Sequence, residues 1–463
     1  MNWPVETLTR LISLTENPPD IPAWRAIARA TRGTVFDGRL FAVGGFIRDR
    51  LIGCWDGREI DMVLEGDALT LARFLYERGV ARGAPVEYPR FGTALIQVAG
   101  LAIELVTARK ESYHESSRKP DVEAATVAED VFRRDFTINA LLQNVHTGQF
   151  LDPTGRGLAD LETGVLRTPL DPDQTFFDDP LRMLRAVRFV AQLGFSVYPE
   201  VAVGIRRCCG RLAIISQERI RDELSKLLKS PRPALGIAMM QELGLMEFAV
   251  PELVALAADH PESFRHTLRT VGAAPPIVRS RLVALLHHAA TPDMAGARLE
   301  LLRFSRVESE DARLMLSLRE AIIGRDPATW TDGEVRKFVR KACSLLEALL
   351  AFVKMDRSEG DPALEEIDVD AFAERIDRLE ERVVSAILAS PLDGKELMHI
   401  LQAKPGPLIR DAKEWLLNEV LEGRLAADDK ALASHKVTSW NASRTANLAG
   451  ISFFCESLQE ISD

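Results

Sequence analysis

The spacing of apolar positions changes several times along the chain, and each change marks an element. Up to about residue 35 they recur at helical intervals, first as Leu8, Leu11 and Ile12, then as Trp24, Ile27 and Ala28. An apolar run from Leu40 to Val43 stops at Gly44-Gly45, and a helical pattern follows with Arg48 in its first turn. That order predicts a strand, a tight turn and a helix N-terminus. A second run, Ile60 to Leu64, carries Glu59 and Asp61 at alternating positions, which on a strand share one face. Ala68 to Gly79 reads as an amphipathic helix closed by glycine. Phe91 to Val98 and Leu101 to Thr107 read as a hairpin turned at Gly100. Arg109 to Glu129 is polar and aperiodic, the pattern of a mobile loop. From about Pro251 to Gly423 helix follows helix, with breaks at Pro275-Pro276, Gly324 to Pro327 and Pro391 to Gly394.

Several of these elements carry chemistry. Bare backbone at Gly44 and Gly45 lets a triphosphate approach, the helix N-terminus favours its charge, and Arg48 adds a guanidinium fork. Two carboxylates on one strand face beside such a turn are what a two-metal phosphoryl-transfer site requires, so Glu59 and Asp61 are candidate ligands for magnesium. Glu104, inside the second hairpin strand, is either a third ligand or an outward-facing residue on a half-exposed strand; spacing leaves both open. Arg133 and Arg134 offer donors to phosphates, and Asp135 and Asn139 offer groups to a sugar hydroxyl. Asp179, Arg182, Arg185 and Arg188 recur every three residues and form a stripe along one helical side. Such a stripe is a solvated face with intrahelical ion pairs, or a nucleotide site. In the second case a carboxylate accepts from the exocyclic amine that cytosine and adenine share, while a guanidinium donates to their ring nitrogen.

At 463 residues the chain exceeds one ordinary core, and two to four domains are expected. No apolar run approaches the roughly 18 residues that span a bilayer, and the first residues lack the basic-then-apolar order of a signal peptide. The five cysteines are irregularly spaced without a Cys-x-x-Cys pair, which fits reduced thiols in a cytoplasmic protein and supports neither a cysteine zinc site nor a disulfide framework. A net charge of −10 argues against broad coating of nucleic acid and leaves room for a local basic surface.

Taken together, Gly44-Gly-x-x-Arg-Asp49, Glu59-x-Asp61 and Arg133-Arg-Asp-Phe-Thr-Ile-Asn-Ala140 resemble the class II tRNA nucleotidyltransferase and bacterial poly(A) polymerase family. Asp152-Pro-Thr-Gly-Arg-Gly-Leu-Ala-Asp-Leu161, Asp178 to Phe189 with Leu193-Gly-Phe195, and Ile215 to Leu224 continue the resemblance in order, from about Leu40 to Leu253. It implies an α/β nucleotidyltransferase head (1–152), then an all-α-helical neck (153–253) and body and tail (254–425); the C-terminal extension (426–463) resembles nothing assignable. The implied reaction is addition of CMP and AMP from CTP and ATP to the 3′ end of tRNA with Mg2+. Asp179 and Arg182 would select the base, Arg185 and Arg188 would lie nearer the phosphates, Arg48 and Arg134 would face the triphosphate, and Asp135 and Asn139 the ribose. Members of this family add CCA, CC, A or poly(A), and a catalytically weak tRNA-binding protein is the reading from another class.

Two positions depart from the family pattern. Glu59 stands where relatives carry aspartate, one methylene longer. Further on, His266 and His287-His288 resemble a His…His-Asp phosphohydrolase module in which His288 replaces the aspartate and no companion acid is evident downstream. The expectation is a degenerate scaffold with structural histidines. Lys404, Arg410 and Lys413 are candidates for phosphate contacts or a solvated helix face.

Overall fold

The computed structural model describes residues 19–112, 121–381 and 390–459. The helix expected through Leu8, Leu11 and Ile12, and residues 113–120 of the polar segment, lie outside them. The chain forms two compact units, the first running to Phe264 with Pro276–Val278 and Leu301–Phe304, the second comprising the remainder.

The head is a mixed seven-stranded sheet. Its strands are β1 (Leu40–Val43), β2 (Glu59–Leu64), β3 (Val86–Tyr88), β4 (Thr93–Val98), β5 (Leu101–Thr107), β8 (Leu142–Asn144) and β9 (Phe150–Leu151), in the spatial order β3-β4-β5-β2-β1-β8-β9. Only β2 and β5 run parallel; the other neighbours are antiparallel. All four residues of β1 are buried, as its unbroken apolar run requires at the sheet centre. On β2 burial falls on Ile60 and Met62, and the acidic residues take the opposite face. The helix α1 (Pro22–Thr31) is anchored through buried Trp24, whose Nε1 donates to Val145 O at 3.0 Å, and α2 (Gly45–Ile52) and α3 (Ala68–Glu77) follow β1 and β2. The β4–β5 turn holds both Ala99 and Gly100 at positive φ, the geometry of a two-residue hairpin loop.

The polar segment after β5 is more ordered than its composition suggests. Arg109–Ser112 (β6) pairs antiparallel with Asp121–Ala124 (β7), and a capping box at Thr126 and Glu129 starts a short helix. Backbone pairing organises these polar flanks, and aperiodic side chains give no sign of it.

After the head the chain is largely helical, apart from one two-residue parallel pairing of Val165–Leu166 with Ser196–Val197. The helix α4 (Leu181–Leu193) is the centre of this region, buried on most sides and packed against α5 (Gln217–Lys229) and the helix Pro233–Glu242. Gly236 permits the last contact, because a Cβ there would lie 2.9 Å from that of Ala191.

The second unit corrects one expectation. Acidic partners for the histidines do exist: Asp356 and Asp361, both buried, stand beside His266, His287 and His288. They come from the far end of the helix Leu346–Ser358 and the turn after it, too remote in sequence to be read from spacing.

Candidate active site

The turn after β1 places Gly44 at φ +74° as the N-cap of α2 (Gly45–Ile52). Glycine is required there twice over. Few side chains tolerate that φ, and a Cβ would stand 3.3 Å from Asp61 Oδ2 and 3.5 Å from Arg134 Nη1. Gly45, the first residue of α2, leaves the approach to the helix N-terminus narrow and free of side chain.

The parallel register sets Asp61 level with Glu104 and Glu59 level with Ala102. One carboxylate oxygen from each of Glu59, Asp61 and Glu104 lies within 4.8 Å of the others. Glu104 therefore faces the other two rather than solvent alone. Burial, then Glu104 and Glu59, push the Asp61 carboxyl up to about 6. Burial and Glu59 raise Glu104 as well. Carboxylates held against their own repulsion form an oxygen-only donor set that suits a hard divalent cation.

Arginines surround this cluster, each held by an acid. Arg48 is buried, forks onto Asp49 with Nε–Oδ1 at 2.7 Å and Nη2–Oδ2 at 2.9 Å, and donates from Nη1 to Asn139 Oδ1 at 2.6 Å. Arg133 and Arg134 both reach the fully buried Asp130, at 2.7 and 3.0 Å. The Nε of Arg134 is buried with no hydrogen-bond partner, and both Asp61 and Glu104 feel its charge. Asp135 accepts from Asn139 Nδ2 at 2.9 Å and Arg185 Nε at 2.8 Å. Burial would raise its carboxyl, but Arg185 and Asn139 prevail and hold it well below the ordinary range.

The stripe on α4 is thus mostly an inward-facing network. Asp179, just before the N-cap Pro180 of α4, accepts from Leu181 N at 3.2 Å and from Arg219 Nη2 at 2.8 Å. Arg182 is fixed by the carbonyls of Thr175 and Arg133. Arg188 is buried, with Nε 2.5 Å from Glu223 Oε2 and Nη1 2.8 Å from Gln192 Oε1. Arg185 meets both Asp135 and, at 3.7 Å, Glu223. So Arg48, Asn139, Asp135 and Arg185 form one connected set, which Arg188 joins through Glu223, whereas Asp179 and Arg182 are held separately, by Arg219 and by backbone carbonyls. A further tie runs from Thr137, whose Oγ1 donates to Asp160 Oδ2 at 2.7 Å and whose amide donates to Arg167 O at 2.8 Å.

Three acids and bases in this set escaped sequence reading: Asp130, Arg219 and Glu223. Asp130 stands three and four residues before Arg133 and Arg134, a helical spacing that signals it. Arg219 and Glu223 lie in a stretch of alternating charges that looks solvated, and only the packing of α5 on α4 shows their targets.

Comparison with known proteins bears on the same segments. The Poly A polymerase head domain family matches residues 40–167, and the probable RNA and SrmB-binding site of polymerase A matches residues 194–256. The chain is 38% identical over 221 residues to the mitochondrial CCA tRNA nucleotidyltransferase of Saccharomyces cerevisiae, covering 44% of this chain and 40% of that protein. It is 29% identical over 408 residues to the CCA-adding enzyme of Levilactobacillus brevis, covering 85% of this chain and 92% of that one. The chain thus spans about 40% of the length of the yeast relative. The crystal structure of the Bacillus stearothermophilus CCA-adding enzyme in complex with CTP superposes with a TM-score of 0.66 at 23% identity, over 92% of this chain and 100% of that one. At that identity the likeness speaks for the fold.

Proposed function

We propose that this chain is a member of the class II tRNA nucleotidyltransferase and bacterial poly(A) polymerase family and transfers CMP and AMP from CTP and ATP to the 3′ end of tRNA, a reading supported by the matched segments and relatives. The observation that carries the proposal is the parallel β2–β5 register, which gathers Glu59, Asp61 and Glu104 beside the Gly44-Gly45 turn. In this reading residues 1–152 form the catalytic head, 153–253 the base-selecting neck, and 254–425 with 426–463 the helical body and extension.

The acidic triad fits divalent cations, and Glu59 and Asp61 would hold Mg2+ with Glu104 assisting. Bound there, the ions would supply charge neutralisation at the α-phosphate and a more acidic RNA 3′-hydroxyl. The protein supplies the rest. The N-terminus of α2 and the unpartnered Nε of Arg134 face the triphosphate, and Asn139, held by Arg48 and Asp135, is placed for the ribose. Asp179 offers its carboxylate to the exocyclic amine of cytosine or adenine, and Arg182 offers its remaining donors to the ring nitrogen. Uracil and guanine present the reverse pattern and would leave both groups unpaired.

Among the described residues no helix is long and apolar enough to cross a membrane. Among the described residues Cys54, Cys208, Cys209 and Cys343 are free thiols; a cytoplasmic location is the reading that the irregular cysteine spacing of the sequence suggests.

The test is incorporation on tRNA ending before CCA, after C and after CC, with CTP and ATP given separately and together. Ordered addition of C, C and A supports complete CCA synthesis. Addition of only C or only A identifies a divided-labour enzyme, and long A tails identify the polymerase. Binding without incorporation would overturn the enzymatic reading in favour of a tRNA-binding protein.

A further inference from the structure

The sheet of the head carries an exposed apolar margin on the same side as the carboxylates. Register places it there. Glu104 on β5 stands opposite Asp61 on β2 and opposite Leu95 on β4, and Leu95 stands opposite Val86 on the edge strand β3. Directly opposed residues share a face, so Asp61, Glu104, Leu95 and Val86 form one row across the sheet. Tyr88 and Thr93 begin the neighbouring row on that face. Glu87, between Val86 and Tyr88, takes the other side, where Arg73 of α3 holds it at 2.6 Å and where Ala94, Ile96, Ile103 and Leu105 are buried.

Val86, Tyr88 and Phe91 are 51, 49 and 54% exposed. Large apolar side chains left in water within one short stretch mark a surface that meets something. Phe91 is also presented by a fixed turn. It ends the segment Pro89–Phe91, and its carbonyl accepts from Arg109 and, at 3.3 Å, from Thr93 Oγ1. Gly92 follows at φ +58°, and a Cβ there would stand 3.2 Å from Thr107, so glycine suits this turn as no other residue does. The turn is pinned, yet its ring stays half in water, faced by the guanidinium of Arg90 at 5.8 Å from the ring centroid.

Rings on which any base can stack, beside guanidinium groups that can meet phosphates, are the chemistry of a single-stranded nucleic-acid surface. Distance fits the same occupant. Three strand spacings separate β3 from β2, so the margin begins roughly 14 Å from Asp61, the length of about four stacked bases. We infer that Tyr88 and Phe91, with Arg90 and Val86 beside them, form a stacking platform for the unpaired 3′ segment of the acceptor RNA, upstream of the reacting hydroxyl. The inference rests on the nucleotidyl-transfer reading of the carboxylates. Because it grips base faces rather than base edges, the platform accepts any base and leaves selection to the incoming nucleotide's site.

Equilibrium binding to the full chain would be compared for a tRNA ending in unpaired CC and for the same tRNA trimmed to its last paired nucleotide. The wild type should prefer the CC-ended tRNA. Tyr88→Ala and Phe91→Ala should each raise the Kd for that tRNA by about 5-fold or more and change the trimmed one little. Tyr88→Phe keeps the ring and should bind as the wild type does. Tyr76→Ala, which removes an equally exposed tyrosine from α3 on the other side of the sheet, should have no effect. In incorporation assays the two alanine variants should raise KM for tRNA and leave KM for CTP unchanged. Unchanged Kd in both would overturn the platform and leave the margin to a protein partner. Equal weakening for both tRNAs, or a rise in KM for CTP alone, would overturn it as well, the latter by putting the incoming nucleotide on the rings. A wild type that shows these binding differences without incorporation would remove the nucleotidyl-transfer reading and leave the RNA platform standing.

Discussion

A Cβ on residue 44 would stand 3.3 Å from Oδ2 of Asp61, so the glycine turn and the carboxylate proposed as catalytic are fitted to one another. Gly44→Ala would meet both that contact and a φ of +74°. The backbone strain should cost about 1–3 kcal/mol of stability, read by denaturant unfolding. Nucleotide incorporation should fall more steeply than stability, because the turn and Asp61 can relieve the contact only by moving apart.

Asp61 also makes a pH-dependent prediction. Burial, with Glu104 and Glu59 alongside, lifts its carboxyl to about 6 in the folded, ion-free chain, against 3.8 ordinarily. A raised carboxyl means that the native state keeps a proton the unfolded chain has released. The cost of ionising Asp61 is therefore present above pH about 6 and disappears as pH falls below about 4. In chelator, Asp61→Asn should stabilise the protein at pH 8 by on the order of 3 kcal/mol and make little difference at pH 4. Paired urea titrations at the two pH values check this, and equal effects at both would contradict it.

Glu223 holds the buried Arg188 at 2.5 Å and reaches Arg185 at 3.7 Å. Glu223→Gln would leave Arg188 as an uncompensated buried charge. A loss of about 3–5 kcal/mol is expected, visible as a lowered midpoint of unfolding. Replacing both partners, as in Glu223→Leu with Arg188→Met, should recover much of it.

Asp179 and Arg219 should separate stability from selectivity. Their ion pair of 2.8 Å lies at a partly exposed surface, so Arg219→Ala should cost well under 1 kcal/mol. It should nevertheless loosen the Asp179 carboxylate and raise misincorporation of UMP and GMP relative to CMP and AMP. Competition assays with mixed nucleotides measure this ratio, and unchanged selectivity in both Arg219→Ala and Asp179→Ala would remove Asp179 from the base-reading role.

Much of the head was legible because its signals are local. The run Leu40–Val43, the two glycines and the alternation at Glu59 and Asp61 each lie within one element, and β1, α2 and β2 form where those patterns fall. The ambiguity over Glu104 required long-range information, since its face depends on the parallel pairing of β5 with β2. The same limit hid Asp356 from the histidines and Glu223 from Arg188, pairs joined only by helix packing. The hairpin of β6 and β7 was missed for another reason. Backbone hydrogen bonds define it, and its sequence carries no apolar alternation of period two that would announce a strand. Arg48 shows a further gap: its charge suggested an open phosphate donor, while the fold sets it onto Asp49 and Asn139.

If the carboxylate cluster on β2 and β5 performs nucleotidyl transfer to tRNA, the reaction must depend on Asp61. Magnesium-dependent incorporation of labelled CMP and AMP into tRNA lacking its 3′ end, with wild type and Asp61→Ala side by side and tRNA binding recorded for both, tests it most directly. Robust incorporation by the wild type and its loss in Asp61→Ala with binding retained are expected. Incorporation that survives Asp61→Ala, or its absence from a wild-type protein that still binds tRNA, would contradict it.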